Sequence, residues 1–187
     1  MTHYLDLQLR SDPELPPHQL LAALYARLHR ALVQRAESRI AVSFPGHCTT
    51  PPTLGTTLRL IGPEENLVGL MAMDWLVGLR DYVKVGPLAE VPRSATARTL
   101  RRIQAKSSPE RLRRRQVRRH GLSAEESVQR IPDTAAEMLR LPYVQLASAS
   151  TQQTFRIFLR VGEPQAMSVD GEFNAYGLSA TATIPWF

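Results

Sequence analysis

Apolar residues in this chain recur first with the period of a strand and then with that of a helix. Tyr4-Leu5-Asp6-Leu7-Gln8-Leu9-Arg10 alternates apolar and polar until Ser11-Asp12-Pro13 breaks the pattern, which predicts an opening strand with one buried face. From Pro17 to about Gln34, Leu20, Leu21, Leu24, Tyr25, Leu28 and Leu32 fall on one side of a 3.6-residue turn. That spacing predicts an amphipathic helix with His29 near its C-terminal end. Ile40, Val42 and Phe44 alternate in a second strand ended by Pro45-Gly46, and a proline-rich loop, 45 to 56, leads to a third strand around Thr57 to Ile61. Residues Pro63 to about Tyr82 return to helical spacing with a break near Met73-Asp74, and Val83-Lys84-Val85 reads as strand.

The resulting order βαββαβ is that of a ferredoxin-like half, an antiparallel sheet with both helices on one face. The fold class expected is therefore α+β, with a ferredoxin-like domain over residues 1–92. Pro92-Arg93-Ser94-Ala95-Thr96-Ala97 marks a linker, residues 93–98, after which the composition turns basic and a second domain, 99–187, begins. In that half Ser123 with Glu126 makes a capping box for a short helix ending near Pro132. Tyr143 to Ser150 and Thr154 to Arg160 read as strands, with Gln152-Gln153 as the turn between them.

Between linker and capping box lies the most distinctive stretch, Arg111-Leu112-Arg113-Arg114-Arg115-Gln116-Val117-Arg118-Arg119-His120. Ser108 is placed to cap a helix, Pro109 fits its first position, Glu110 suits the positive end of its dipole, and Gly121 can close it in the left-handed conformation. The helix 109–120 has only Leu112 and Val117 as apolar residues, too few and too far apart for a core-facing stripe, so most of its surface must face water or a polyanion. Arg111, Arg115 and Arg118 line one ridge, and Arg114 with Arg118 and Arg115 with Arg119 are neighbours that repel one another until phosphates arrive.

Composition sharpens this reading. Residues 101–120 hold nine of the 23 Lys and Arg and one of the 17 acids, which leaves 14 bases against 16 acids elsewhere. The net charge of +6 is thus a localised feature, the signature of a nucleic-acid site rather than of diffuse solubilising charge. Arginine adds planar, bidentate phosphate recognition. At 187 residues and 43% hydrophobic, the chain can build one large or two small cores. No apolar run approaches a membrane span and no signal peptide is read at the N-terminus, so a cytoplasmic protein is expected. A lone Cys48 excludes an internal disulfide, and five scattered histidines signal no metal site and no cofactor.

Several residues carry candidate chemistry. Arg102, Gln104 and Lys106 share one side of an extended segment. Arginine can pair with guanine O6 and N7 and glutamine with adenine N6 and N7, although a solvated polar strand face has the same pattern. His29 lies beside Tyr25 and Leu28, where a packed or surface histidine is the commoner role. Ser148 and Ser150 continue the face of Val144 and Leu146 and are equally the end of a strand. Phe155 aligns with Ile157 and Leu159, which favours core packing, while a strand-borne aromatic can also stack on a base. Tyr176, between the turn signals Gly171 and Gly177, is ambiguous alone.

Taken together these residues resemble the CRISPR-associated endoribonuclease of type I-F systems, which cuts precursor CRISPR RNA at the base of each repeat hairpin. The resemblance spans the chain: His3-Tyr4-Leu5-Asp6, Leu28-His29, Ile103-Gln104-Ala105-Lys106-Ser107, Pro109 to Arg115, Arg130-Ile131-Pro132-Asp133-Thr134, Tyr176-Gly177-Leu178-Ser179 and Pro185-Trp186-Phe187. It implies an arginine helix in the major groove of a short RNA stem, with Arg111, Arg114, Arg115, Arg118, Arg119 and His120 toward the RNA. It also implies Arg102 and Gln104 on bases near the foot of the stem, Lys106 and Thr151 at the RNA, and Phe155 beneath the last base pair. His29 would be the general base, Ser148 would hold the attacking 2′-hydroxyl with Ser150 nearby, and Tyr176 would orient His29. Implied partners are the repeat RNA stem-loop and other subunits of a type I-F effector complex, with no membrane and no metal. The residues themselves leave two further readings open, a non-catalytic hairpin-binding subunit of a ribonucleoprotein and a duplex-DNA binder.

Overall fold

A computed structural model describes residues 1–104, 109–131, 140–148 and 153–187, with backbone alone for residues 109–112 and 124. The chain packs as two units, one formed by Met1–Ile103 with Leu141–Phe187 and the other by Gln104–Arg140. The architecture is mixed α and β with antiparallel sheets.

The first unit opens with strand β1 (His3–Leu9), whose alternation buries Leu5, Leu7 and Leu9 on one face. Helix α1 (Pro17–Arg35) begins with proline at its first position and ends on Ala36 in the left-handed conformation. Its apolar stripe is buried as its spacing requires, and Leu24 and Leu28 are fully enclosed. Each such side chain contributes roughly 1.5–3 kcal/mol over its exposed state. Strands β2 (Ala41–Ser43) and β5 (Thr57–Gly62) frame the proline-rich loop, which forms a small hairpin of its own, β3 (Cys48–Thr49) with β4 (Pro52–Thr53). Helix α2 (Glu64–Met71) is shorter than its periodicity suggested. Turns occupy residues 75–79, a single 3-10 turn covers Arg80–Tyr82, and the break falls at the expected Met73-Asp74. Strand β6 (Val83–Val85) and strand β7 (Ala89–Glu90) then pair in succession along one edge of β1. The sheet runs β2-β5-β1-β6, antiparallel throughout.

A second set of strands completes this unit. Strand β8 (Thr96–Arg98) pairs with β12 (Ile184–Trp186), and β9 (Leu100–Ile103), β10 (Tyr143–Ala147) and β11 (Thr154–Val161) make a sheet in the order β10-β11-β9. The inner face of that sheet buries Leu100, Val144, Leu146, Ile157 and Leu159, and β10 packs on α1.

The second unit holds α3 (Pro109–His120) and α4 (Ala124–Arg130). Gly121 closes α3 at φ 63° with its N–H on the Val117 carbonyl, 3.0 Å away, as the sequence predicts. The Ser123–Glu126 capping box is formed at both contacts, and its backbone hydrogen bond holds the Glu126 carboxyl below its usual range. The expected N-cap Ser108 and the turn residue Gln152 lie outside the described residues.

One ion pair ties the centre of the first sheet. Arg59, 8% exposed among apolar neighbours on β5, faces Asp6 across the ladder and donates to both carboxylate oxygens at 2.7 and 2.9 Å. It also donates to the Phe187 main-chain oxygen at 2.8 Å, and its guanidinium lies 3.9 Å from the Phe187 ring and 4.7 Å from that of Tyr4. Removing one member of a buried pair strands the other. Asp6→Ala is therefore expected to cost about 2–3 kcal/mol, below the full penalty for a buried pair because the carboxylate keeps some water contact. Denaturant titration checks this, and a loss under about 0.5 kcal/mol would mean that the rings and the Phe187 oxygen carry the charge without Asp6.

Candidate active site and nucleic-acid interface

His29 sits one helical turn after Tyr25 on α1, half-buried at the helix margin. The segment 173–179 from the far end of the chain lies against it. Phe173 N–H donates to Ser38 O at 2.9 Å, and Val42 N–H, in the middle of the edge strand β2, donates to Gly177 O at 3.0 Å. Within the segment Asn174 folds a turn on itself. Its side-chain oxygen accepts from Tyr176 N–H at 2.8 Å and Leu178 N–H at 3.3 Å, and its carbonyl accepts from Gly177 N–H at 2.7 Å. Gly177 adopts φ 68°, and a Cβ there would lie 2.8 Å from Val42 Cγ1, so glycine is required both for the conformation and for the approach.

This turn brings two groups to the histidine. The Tyr176 ring stacks on the His29 ring, centroids 3.9 Å apart and planes 5° from parallel. His29 Nδ1 lies 2.8 Å from Ala175 O. A carbonyl can only accept, so Nδ1 carries the proton, and in the neutral ring the lone pair is left on Nε2. Behind the pair, Tyr25 is fully buried and donates its hydroxyl to Tyr176 O at 2.7 Å. Burial pushes the Tyr25 hydroxyl well above its ordinary titration, the nearby Tyr176 adds to this, and the Arg102 charge opposes it.

The remaining candidates divide between the units. Arg102 is exposed on β9 opposite Leu159 and shares the sheet's inner face, and Gln104 is exposed one residue beyond the strand. Phe155 is half-buried against the core, opposite Leu146 and on the face of Ile157 and Leu159, as its alternation predicts. Ser148 follows β10 directly, half-buried, with its N–H on Gln153 O at 2.9 Å, so it continues the ladder on the face of Val144 and Leu146. In the second unit, which Gln104 opens, Arg114, Arg115, Arg118, Arg119 and His120 are exposed on α3. The helix is not wholly solvated, because Arg113 is half-buried and its Nε donates to Ile131 O at 2.8 Å, at the end of α4. Lys106, Ser150 and Thr151, and the side chain of Arg111, lie outside the described residues.

Sequence reading missed Tyr25 as a hydroxyl donor, Asn174 as the organiser of the turn, and Ala175 O as the partner of His29. A tyrosine in a leucine-lined helical stripe needs an acceptor for its hydroxyl, which was the available signal for the first. The carbonyl left none. Among the described residues no group of three or more His, Cys, Asp or Glu is arranged to hold a metal, and no helix is long and apolar enough to cross a membrane.

Comparison with known proteins fits this arrangement to a family. Over all 187 residues and the full length of both chains, the sequence is 50% identical to the CRISPR-associated endonuclease Cas6/Csy4 of Pseudomonas aeruginosa (strain UCBPP-PA14). It is 43% identical, again end to end, to the CRISPR-associated endonuclease Cas6/Csy4 of Escherichia coli (strain UTI89 / UPEC). The family described as CRISPR-associated protein (Cas_Csy4) matches residues 4–187, and the chain belongs to this family of CRISPR-associated endonucleases.

Proposed function

We propose that this endonuclease binds the stem-loop of a CRISPR repeat RNA and cuts at the 3′ base of the stem without a metal, then stays with its product in a type I-F effector complex. The observation that carries the reading is the His29 imidazole, held by Ala175 O through Nδ1 and stacked on Tyr176, with Nε2 left to take a proton. The nucleophile is the substrate's own 2′-oxygen. His29 Nε2 removes its proton while Ser148 holds the hydroxyl, with Ser150 nearby, and Tyr176 fixes the imidazole plane. The 2′-oxygen bonds to the adjacent phosphorus as the bond to the 5′-oxygen breaks, and that oxygen takes a proton from water, leaving a 2′,3′-cyclic phosphate and a 5′-hydroxyl. Holding the attacking oxygen in line makes the step intramolecular, and a positioned imidazole acts as base near neutral pH.

Binding falls to other residues. The exposed arginines of α3, with His120, Lys106 and Arg111, enter the major groove of the stem. A groove of A-form RNA is too deep and narrow to read along its length, but a stem of a few base pairs is open at its ends. Arg102 and Gln104 read bases at the foot of the stem, Phe155 stacks beneath the last pair, and Thr151 contacts the RNA. The βαββαβ order and the antiparallel order β2-β5-β1-β6 support a ferredoxin-like domain over residues 1–92, with 93–98 as linker and 99–187 carrying the RNA-binding elements. The cytoplasm is the compartment this work requires.

His29→Ala is expected to lower the single-turnover cleavage rate by about 10²- to 10⁴-fold while hairpin affinity holds, since its role is proton transfer. An affinity that fell as far as the rate would make His29 a binding residue. Changing Arg115 and Arg119 together to alanine should weaken hairpin binding and flatten its log–log salt dependence by roughly 1.4 to 1.8, at 0.7 to 0.9 per phosphate contact. A gel-shift series across salt concentrations reads this, and an unchanged slope would leave the helix in solvent. Replacing the ribose 2′-hydroxyl just upstream of the cut by hydrogen should stop cleavage in EDTA buffer, where the all-ribose hairpin is still cut. The lost hydrogen bond is worth about 0.5–1.5 kcal/mol, so affinity falls by about tenfold at most. Continued cutting of the deoxy hairpin at that bond would point to water or a protein group as nucleophile.

A further inference from the structure

The sheet β10-β11-β9 has an outer face that none of the roles above uses. Register places Arg160 of β11 directly opposite Arg101 of β9, and both are exposed. Like charges directly across a ladder repel, and the pair persists here with no acid on the face to offset it. Four residues back along β11, exposed Arg156 lies with its guanidinium 4.5 Å from the ring of Tyr143, which is itself 43% exposed. Tyr143 in turn packs on Phe158 with ring centroids 5.5 Å apart. The other positions of the face are neutral. Among the described residues none of the three arginines forms an ion pair. In a chain with 23 bases against 17 acids, a sheet face with three arginines and no acid is not average surface.

We propose that this outer face is a second RNA-binding surface, one that takes a single-stranded stretch of the substrate continuing from the hairpin. Phosphates relieve the Arg101–Arg160 repulsion, while the exposed Tyr143 ring with Arg156 across it offers a flat platform. Unpaired bases are the ligand that fits, because a base inside a duplex has both of its faces already stacked. The surface is distinct from the catalytic one. Arg102, Ser148 and Phe155 belong to the opposite face of the same sheet, since alternate residues of a strand point to opposite sides. The inference rests on the proposed function in that the substrate is RNA.

The test uses the full-length protein with three labelled probes: decauridine, the repeat hairpin without tails, and the same hairpin with a single-stranded tail. In wild type the tail should tighten binding. Arg101→Gln with Arg160→Gln should abolish that gain and lower the salt slope for decauridine by about 1.4, at about 0.7 per contact for a single strand. Tyr143→Ala should weaken decauridine binding by about fivefold or more. Binding of the tail-less hairpin should be unchanged in both variants, which also shows that they fold. Wild-type binding to that tail-less hairpin tests the proposed function separately. Decauridine binding unaltered by the substitutions would overturn the proposal, as would an equal loss for the tail-less hairpin. So would variants that keep all RNA affinity but no longer associate with a protein partner, which would reassign the face to that partner.

Discussion

A fully buried tyrosine hydroxyl must find an acceptor, and Tyr25 finds it 151 positions away in the carbonyl of Tyr176. An unmade bond at such depth costs about 1–3 kcal/mol, enough to select one position for the distal segment over others. Everything at the site follows from that placement. With Tyr176 O on Tyr25 and Gly177 O on Val42, the turn has little freedom left, and its Asn174 side chain takes up two more N–H groups. The ring that stacks on His29 and the carbonyl that fixes its tautomer are adjacent residues of the turn, so they arrive together.

Local pattern made much of this legible and long-range contact did not. Strand β1, helix α1, strand β5 and the capping box of α4 each follow from spacing within a few residues, because alternation and helical periodicity report which face is buried. Gly121 could be read as a helix end because a left-handed closing residue favours glycine. The hairpin in loop 45–56, the β8–β12 pair and the use of Ala175 O could not, since each depends on partners that no local pattern specifies. The charge of Arg59 in a strand of leucines would look like a fault in the sequence alone. Register supplies its explanation, with Asp6 opposite and the Phe187 oxygen above. At the site, the resemblance to a family raised His29, Ser148 and Tyr176 above their bland readings, and the family itself is now established. The direct contact of His29 with Tyr176 then gives two of those three a geometry.

The two kinds of arginine in this chain illustrate how context decides what a guanidinium does. Arg59 is enclosed, doubly bonded to a carboxylate and in contact with two rings, and it holds structure. Arg113 turns toward Ile131 O and ties α3 to the end of α4, although it stands in the middle of the most basic run of the sequence. Its neighbours Arg114, Arg115, Arg118 and Arg119 are exposed and crowd one another. Their mutual repulsion is a free-energy cost of the unliganded state that a polyanion would remove, so on the proposed function part of the affinity for RNA is stored in the free protein.

The pairing of His29 with a residue 146 positions later also sets an order of events during synthesis. At about 5 to 20 residues per second, the imidazole leaves the ribosome roughly 7 to 30 s before the carbonyl that orients it. Through that interval α1 already carries its histidine, yet nothing fixes the ring plane or its tautomer. On the role proposed for His29, a nascent chain has no assembled base with which to cut passing RNA, and cleavage waits until its own translation is nearly done.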